Sequence, residues 1–307
     1  ERAKRDTLGT HSGKSALKTG LARARLSVCA VAAERIGGQS HLASGPGRQR
    51  YDCWRTVGIP RPDRDRALAS PTTASLRRSE DRIGDWASSV GERGVVIVCG
   101  DGGALSHGVA ALLRGHGHRA EILEGGLAAW IRAGLPAVPE AKLPRRDHRG
   151  RTVWVTRARP KIDRIACPWL IRRFVDPLAM VLFVPAAEVA GVAERFAAAP
   201  FDIDDPAAIW SHRGPACTFD VMIEELGLAT EPLLRLATIV RGADTARPDL
   251  APEVAGLLAV SLGLSRMYGD DLAQLDAGML IYDAFYRWCR DAVGETHDWP
   301  TARKTRD

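Results

Sequence analysis

The apolar and polar positions of this chain fall into three regimes. Over residues 1–75 the apolar positions follow neither a helical nor a strand period, and glycines and arginines interrupt them repeatedly. Only a short helix over 22–36 fits the pattern there. Order sets in near Asp81. Trp86 falls in a short helix, and Gly94-Val-Val-Ile-Val98 is an unbroken β-branched run, as in a strand covered on both faces. After the turn Cys99-Gly-Asp-Gly-Gly-Ala-Leu105, Ser106 is placed to cap a helix over 107–114. A strand over 119–123 and a helix from 124 to 130 follow, stopped by Gly134 and Pro136. The order strand–helix–strand–helix predicts parallel strands with a right-handed crossover.

Residues 136–150 carry three prolines and a charged cluster and read as a linker. Beyond it the pattern predicts strands over 153–156 and 180–184. Helices are predicted over 168–175, 187–198, 218–226, 232–241, 252–265 and 270–291. Gly242 fits the left-handed position after the fourth of these helices. Asp270 and Asp271 fit the first turn of the last. Its aromatic residues Tyr282, Phe285, Tyr286 and Trp288 read as core or a dimer surface. The expected organisation is a disordered or poorly packed basic arm (1–78), a truncated α/β module (79–139), a linker (140–151), a mostly helical α+β domain (152–300) and a tail (301–307).

Charge and cysteine usage narrow the partners. The 307 residues carry a formal net charge of +6. That favours anions, such as small oxyanions, phosphates or acidic surfaces. No aromatic residues interleave with the basic residues of the arm, and no recognition helix is evident, so nucleic acid is not indicated. The six cysteines are scattered without a C-x-x-C pair, as expected for free thiols in a reducing cytoplasm. No apolar run approaches the length of a transmembrane helix.

Three polar segments interrupt the apolar second half, and they hold the candidate chemistry. Arg157, Arg159, Lys161, Arg164, Arg172 and Arg173 form a basic cluster whose guanidinium forks suit oxyanions. With Pro168 opening a helix, the amides of Trp169 and Leu170 would face the same anion. The alternative is a solvated basic face paired with Asp163 and Asp176. His212, Cys217, Asp220 and Glu224, in the spacing H-x4-C-x2-D-x3-E, are candidate ligands for Zn²⁺ or another transition ion. His297-Asp-Trp299 could add a ligand. Arg241 and Asp244 could close the same pocket as Arg157 and Asp220. Cys99, between a strand and a helix N-terminus, is a candidate nucleophile or simply a small buried residue. No G-x-S-x-G elbow and no phosphate-binding G-x-x-x-x-G-K-[ST] occurs.

Two resemblances rest on these residues. From Trp154 to Trp299 the sequence resembles the C-terminal domain of the ChrB family of chromate resistance proteins. The resemblance runs through Thr156-Arg-Ala-Arg-Pro-Lys-Ile-Asp-Arg-Ile-Ala-Cys-Pro-Trp169, His212-Arg-Gly-Pro-Ala-Cys-Thr-Phe-Asp220 and Arg241-Gly-Ala-Asp-Thr245. It continues through Leu257-Leu-Ala-Val-Ser-Leu-Gly-Leu-Ser-Arg266 and Tyr282-Asp-Ala-Phe-Tyr-Arg-Trp-Cys-Arg290. It implies an accessory or regulatory role in chromate resistance, with chromate or a sulfate-like oxyanion as ligand. Residues 95–139 resemble the second half of a rhodanese domain, on Val95-Val-Ile-Val-Cys99, Gly108-Val-Ala-Ala-Leu-Leu113, Leu123-Glu-Gly-Gly-Leu-Ala-Ala-Trp130 and Gly134-Leu-Pro136. That resemblance implies a persulfide carried on Cys99. The arginine that would hold its anionic donor is replaced by Gly103, Ala104 and Leu105, and Asp101 adds a negative charge. Sulfur transfer at Cys99 and a non-catalytic scaffold that dimerises through the last helix stand as alternatives.

Overall fold

The computed structural model describes residues 54–58, 70–71, 76–78, 80–90, 94–205 and 208–295. The helix expected over 22–36 and the candidate ligand His297 lie outside these residues. The run Gly94–Val98 (β4) becomes the strand its pattern predicts, with all five residues buried. It pairs in parallel with Trp54–Gly58 (β1) on one side and Ala120–Ile122 (β5) on the other. Leu76–Arg77 (β3) completes a four-stranded sheet in the order β3-β1-β4-β5. The sequence reading put everything before residue 79 in an arm. The described parts of that stretch instead supply strands, and a further one, Ser70–Pro71 (β2), pairs antiparallel with Ala137–Val138 (β6). Strands this short, set among glycines and arginines, leave no periodic trace; only pairing with distant strands reveals them.

Helices Ile83–Trp86 (α1) and Ala104–Gly115 (α2) cover one face of this sheet, packing Ile83, Trp86, Val109 and Leu113 onto Val95 and Ile97. Helix Gly126–Arg132 (α3) covers the other, where Leu127 and Trp130 meet Val96 and Val98. The alternation of β4 therefore sorts its side chains between two cores. Ser106 does not cap α2; the helix begins two residues earlier and the Ser106 hydroxyl donates to Cys99 Sγ at 2.8 Å.

The second domain is built on a three-stranded parallel sheet, Met180–Val184 (β8), Val153–Arg157 (β7) and Ala199–Pro200 (β9), with β7 in the centre. Here too alternate residues serve opposite faces. Val153 and Val155 pack against Val189 of helix Val189–Phe196 (α5). Trp154 turns the other way and meets Phe201 and Trp210 edge-on. That second face carries the main core, built from helices Asp163–Leu170 (α4), Thr218–Glu225 (α6), Glu231–Asp244 (α7), Val254–Met267 (α8) and Asp271–Asp291 (α9). Burying each large side chain there contributes about 1.5–3 kcal/mol. Tyr282 is buried against Trp169, and Phe285, Tyr286 and Trp288 pack against the same core. The segment expected as a linker is tied down: Val138 joins this core and Lys142 pairs with Glu225 at 2.6 Å.

Two helix boundaries depart from expectation in ways that matter for the site. Pro168 does not open a helix. Helix α4 starts at Asp163 and carries Pro168 inside, and the chain then widens into a π-helical turn, Ile171–Val175. Proline forfeits one backbone hydrogen bond, and the wider turn accommodates the defect. The amides of Trp169 and Leu170 are therefore not at a helix N-terminus. Gly242 is likewise not a C-cap. It lies inside α7, where a Cβ would stand 2.5 Å from Val254 Cγ2. Glycine is needed for the close approach of α8, and α7 continues one further turn to Asp244. Among the described residues, no helix is long and apolar enough to cross a membrane.

Candidate functional site

The parallel strands of the second domain end at one edge, and the chemistry collects outside their carboxyl ends, as in open α/β sheets generally. Arg157 is the last residue of β7. Asp202 follows β9 by two residues. The loop after β7 leads to Asp163, first residue of α4. His212 lies at the foot of a tight turn in which Arg213 and Ala216 exchange two backbone hydrogen bonds. The extended α7 contributes Asp244 from its last turn.

His212 Nε2 lies 3.2 Å from Asp244 Oδ2, 3.4 Å from Asp202 Oδ1 and 3.5 Å from Asp163 Oδ2. Exposure falls from 42% for the His212 side chain, through 18% for Asp244, to none for Asp163. The cluster is thus a hollow with a floor and one open side. Asp163 Oδ2 accepts hydrogen bonds from the amides of Thr218 (2.6 Å) and Phe219 (3.4 Å), so it caps the N-terminus of α6 from another element. Its other oxygen, Oδ1, is buried without a hydrogen-bond partner. Asp202 takes the Thr218 hydroxyl at 3.2 Å on Oδ1, and on Oδ2 it faces Arg164 Nε at 3.2 Å and an Arg157 terminal nitrogen at 3.4 Å. The Nε atoms of both arginines are buried without a properly aligned hydrogen bond.

The electrostatics follow from this crowding. Burial, reinforced by the Asp244 and Asp202 charges, raises the Asp163 carboxyl well above the usual carboxylate range. Burial also pushes Asp202 up, but the facing His212 imidazole and the charges of Arg164 and Arg157 outweigh it and hold that carboxyl below its ordinary value. The Asp202 and Asp244 carboxylates that face Nε2, with the Asp163 charge behind them, lift His212 to about 10. Burial pushes the thiols of Cys217 and Cys167 upward, and neighbouring Asp163 adds to the effect, so both stay protonated and weakly nucleophilic.

The backbone around the centre is held in sparsely populated conformations. Arg159 (φ 59°), Ile162 (φ 38°) and Asp202 (φ 50°) all have positive φ, which is a true outlier for the β-branched Ile162. Such geometry costs on the order of 1–3 kcal/mol per residue and persists only where its surroundings enforce it. Here α8 and α9 do so. The Arg159 guanidinium donates to the carbonyls of Ser265 and Tyr268, Gln274 donates to Pro160 O, and the Tyr282 hydroxyl donates to Ile162 O at 3.0 Å.

The expected site residues separate into groups. Of the six arginines, Arg157 and Arg164 reach the centre. Arg159 fastens its loop. Arg241 pairs with Asp220 at 2.7 Å, and Arg172 pairs with Asp276 at 3.3 Å on α9. Arg173 makes a buried bidentate pair with Asp283, at 2.8 and 2.7 Å, which also receives the Trp169 indole N–H. A single pocket of six arginines does not form, because most of these forks are satisfied by carboxylates on other helices. The four expected metal ligands part in the same way. His212 is at the centre. Cys217 is buried at the N-terminus of α6 beside Asp163, and its amide is held by Asp220 at 3.0 Å. Glu224 lies on the solvent side within 3.8 Å of Arg213. The helical spacing of Asp220 and Glu224 placed them on one face, but on the wrong one. Asp244 lies at the centre without Arg241 and Asp220, with which it was expected to share a pocket, and Asp163, expected only as an ion-pair partner, sits at the bottom. Asp202 was not anticipated; its one signal is an acid directly after a strand too short to be recognised. Among the described residues, Asp163, His212 and Asp244 are the group whose donor atoms could share a metal ion.

Cys99 lies apart, buried at the end of β4 with Asp101 Oδ1 3.4 Å from its sulfur. Gly102 (φ 67°) and Gly126 (φ 57°) bring the Cys99 loop and the start of α3 into contact. A Cβ on Gly126 would stand 2.4 Å from Cys99 O. The loop is closed against a neighbouring helix, and an acid opposes a second negative charge beside the thiol.

Fold and site together define the second half as an α/β domain with a polar centre at the carboxyl ends of its parallel strands. Residues 154–289 match the family model described as ChrB, C-terminal domain. The protein named ChrB from Cupriavidus metallidurans is 34% identical over 157 residues. The match covers 50% of this chain and 46% of the relative, so the chain spans about half the length of that curated protein. Among solved structures, a rhodanese-related protein of Thermoplasma volcanium aligns with 28% of this chain and 83% of its own length, at 19% identity and a TM-score of 0.25. That likeness is too slight to fix the fold of the first half.

Proposed function

We propose that this protein acts in chromate resistance, as an accessory or regulatory factor that senses or handles the oxyanion. The observation that carries this reading is the match of residues 154–289 to the ChrB C-terminal domain, coinciding with the segment that builds the polar centre. Arg157 and Arg164 are the anion-holding groups in this reading, because each keeps a buried Nε–H without an aligned acceptor. Guanidinium N–H groups are well matched to tetrahedral oxyanions, and an unpaired buried donor is costly unless a ligand or water accepts from it. The first half is read as a rhodanese-like module. The parallel order of β1, β4 and β5, with Cys99 directly after β4, supports that reading of its fold.

The test is twofold. Chromate is titrated calorimetrically into the full chain and into Arg164→Ala, and a chromate-sensitive bacterial host expressing either form is grown across a chromate series. The expected result is binding and protection by the parent chain, both diminished in the variant. Neither heat nor protection from the parent chain would remove the reading.

A further inference from the structure

Three oxygens surround His212 Nε2 at 3.2, 3.4 and 3.5 Å. One N–H can point at only one of them, and these separations are at or beyond the long end of N–H···O hydrogen bonds. The contacts to Asp244 and Asp163, at 3.2 and 3.5 Å, are close to the edges of a coordination shell instead, since ligands held about 2.1 Å from one ion stand about 3.0–3.4 Å apart. The donor atoms of Asp163, His212 and Asp244 all lie within 4.8 Å of one another, close enough to converge on a common ion after small side-chain shifts. A second observation is independent of this spacing. The Asp163 side chain has no exposed surface, yet Oδ1 has no hydrogen-bond partner. A buried carboxylate oxygen left unpaired is expensive, and a cation would supply the missing partner. Buried carboxylates elsewhere in the domain are finished with protein donors, as at Asp283.

We propose that Asp163, His212 and Asp244 form a binding site for one divalent first-row transition cation. One imidazole and two carboxylates suit Zn²⁺, Mn²⁺ or Fe²⁺ better than a soft ion. Three protein ligands leave coordination positions free, and the exposure of His212 places them on the open side of the hollow. Asp202, held by Arg157 and Arg164, stands beside the ion and adds negative charge that favours it. A free position next to two arginines would accept water or the oxygen of an anion. The cation site does not depend on that anion being chromate.

The experiment uses the full chain, stripped with a chelator and titrated separately with Zn²⁺ and Mn²⁺ by calorimetry. Metal content after gel filtration is measured by elemental analysis. The expected result is tight binding of at least one ion at one site per chain, weakened at least about tenfold in both Asp244→Asn and His212→Gln. Asp276→Asn, which removes only the exposed partner of Arg172, should bind like the parent. Circular dichroism of each metal-free variant verifies folding, and the two substituted side chains are partly exposed, which favours tolerance. Absence of binding of either ion by the parent chain, or stoichiometric binding that survives both substitutions in folded protein, overturns the site. Chromate protection without metal binding would sink this site and leave the functional reading standing. Metal binding without protection would do the reverse.

Discussion

Asp283 and Asp163 are both buried carboxylates in the same domain, and they are completed in opposite ways. Asp283 accepts a bidentate pair from Arg173 and the indole N–H of Trp169, inside an aromatic cluster. Asp163 keeps one oxygen unpaired, shares its surroundings with two more aspartates, and borders a loop with positive φ at Arg159 and Ile162. The arginines near it are also incompletely bonded. A fully satisfied buried pair describes architecture. A group of unsatisfied donors and acceptors in strained backbone, open to solvent on one side, describes a place for a ligand. Sequence alone did not separate the two, since each is an Arg-rich helix opposite an acid.

The contrast can be broken most forcefully at Asp283. Replacing it with alanine leaves Arg173 as an uncompensated buried charge and should cost about 3–5 kcal/mol, read as a lower midpoint in urea unfolding. A loss below about 1 kcal/mol would mean that the pair is not structural. Next in size is Gly242→Ala, where the new methyl meets Val254 and Arg247 O in the α7–α8 contact. It should destabilise by about 1–3 kcal/mol and disturb the placement of Asp244. Asp163→Asn should change stability by no more than about 1 kcal/mol, because the amide oxygen still accepts from Thr218 and burial already favours the neutral form of the carboxyl it replaces. The same change should abolish chromate protection in the host assay. Retained protection would show that Asp163 is as architectural as Asp283.

The smallest effect belongs to a half-buried carboxylate that is fully bonded. Asp147 accepts from the amides of Arg151 and Arg149 and from the Arg151 side chain, and these bonds hold it at about 2. The folded value lies below the ordinary carboxylate value, so the stabilisation is present above the unfolded value and lost as pH falls toward about 2. A carbon-detected NMR titration should show this carboxyl titrating near the bottom of the acid range. A midpoint near that of a free aspartate would mean the turn it organises is not persistent in solution.

Much of the fold was legible because its signals are local. The β-branched run 94–98, the polar breaks after 99 and 134, and the long helical stripe ending near 291 each announce an element through residues adjacent in sequence. The arm was misread for the same reason. Trp54–Gly58 is a strand by virtue of its partner β4, and Leu76–Arg77 by virtue of β1, and neither carries a period of its own. Pro168 and Gly242 were read as helix ends because that is their usual local meaning. Packing against other helices gave both an interior position.

By itself the sequence determined which residue types were available for chemistry and the likeness of the second half to a known family. Those depend on composition, spacing and motif, all written in one dimension. Which arginines are spent on structure, which acids meet at His212, and that Asp202 belongs with them were decided only by the tertiary fold. Residues 157, 163, 202, 212 and 244 meet because two parallel strands, a helix N-terminus and a helix C-terminus end at the same edge of a sheet. Such a meeting is a property of packing in space, and neither the period nor the spacing of a segment encodes it.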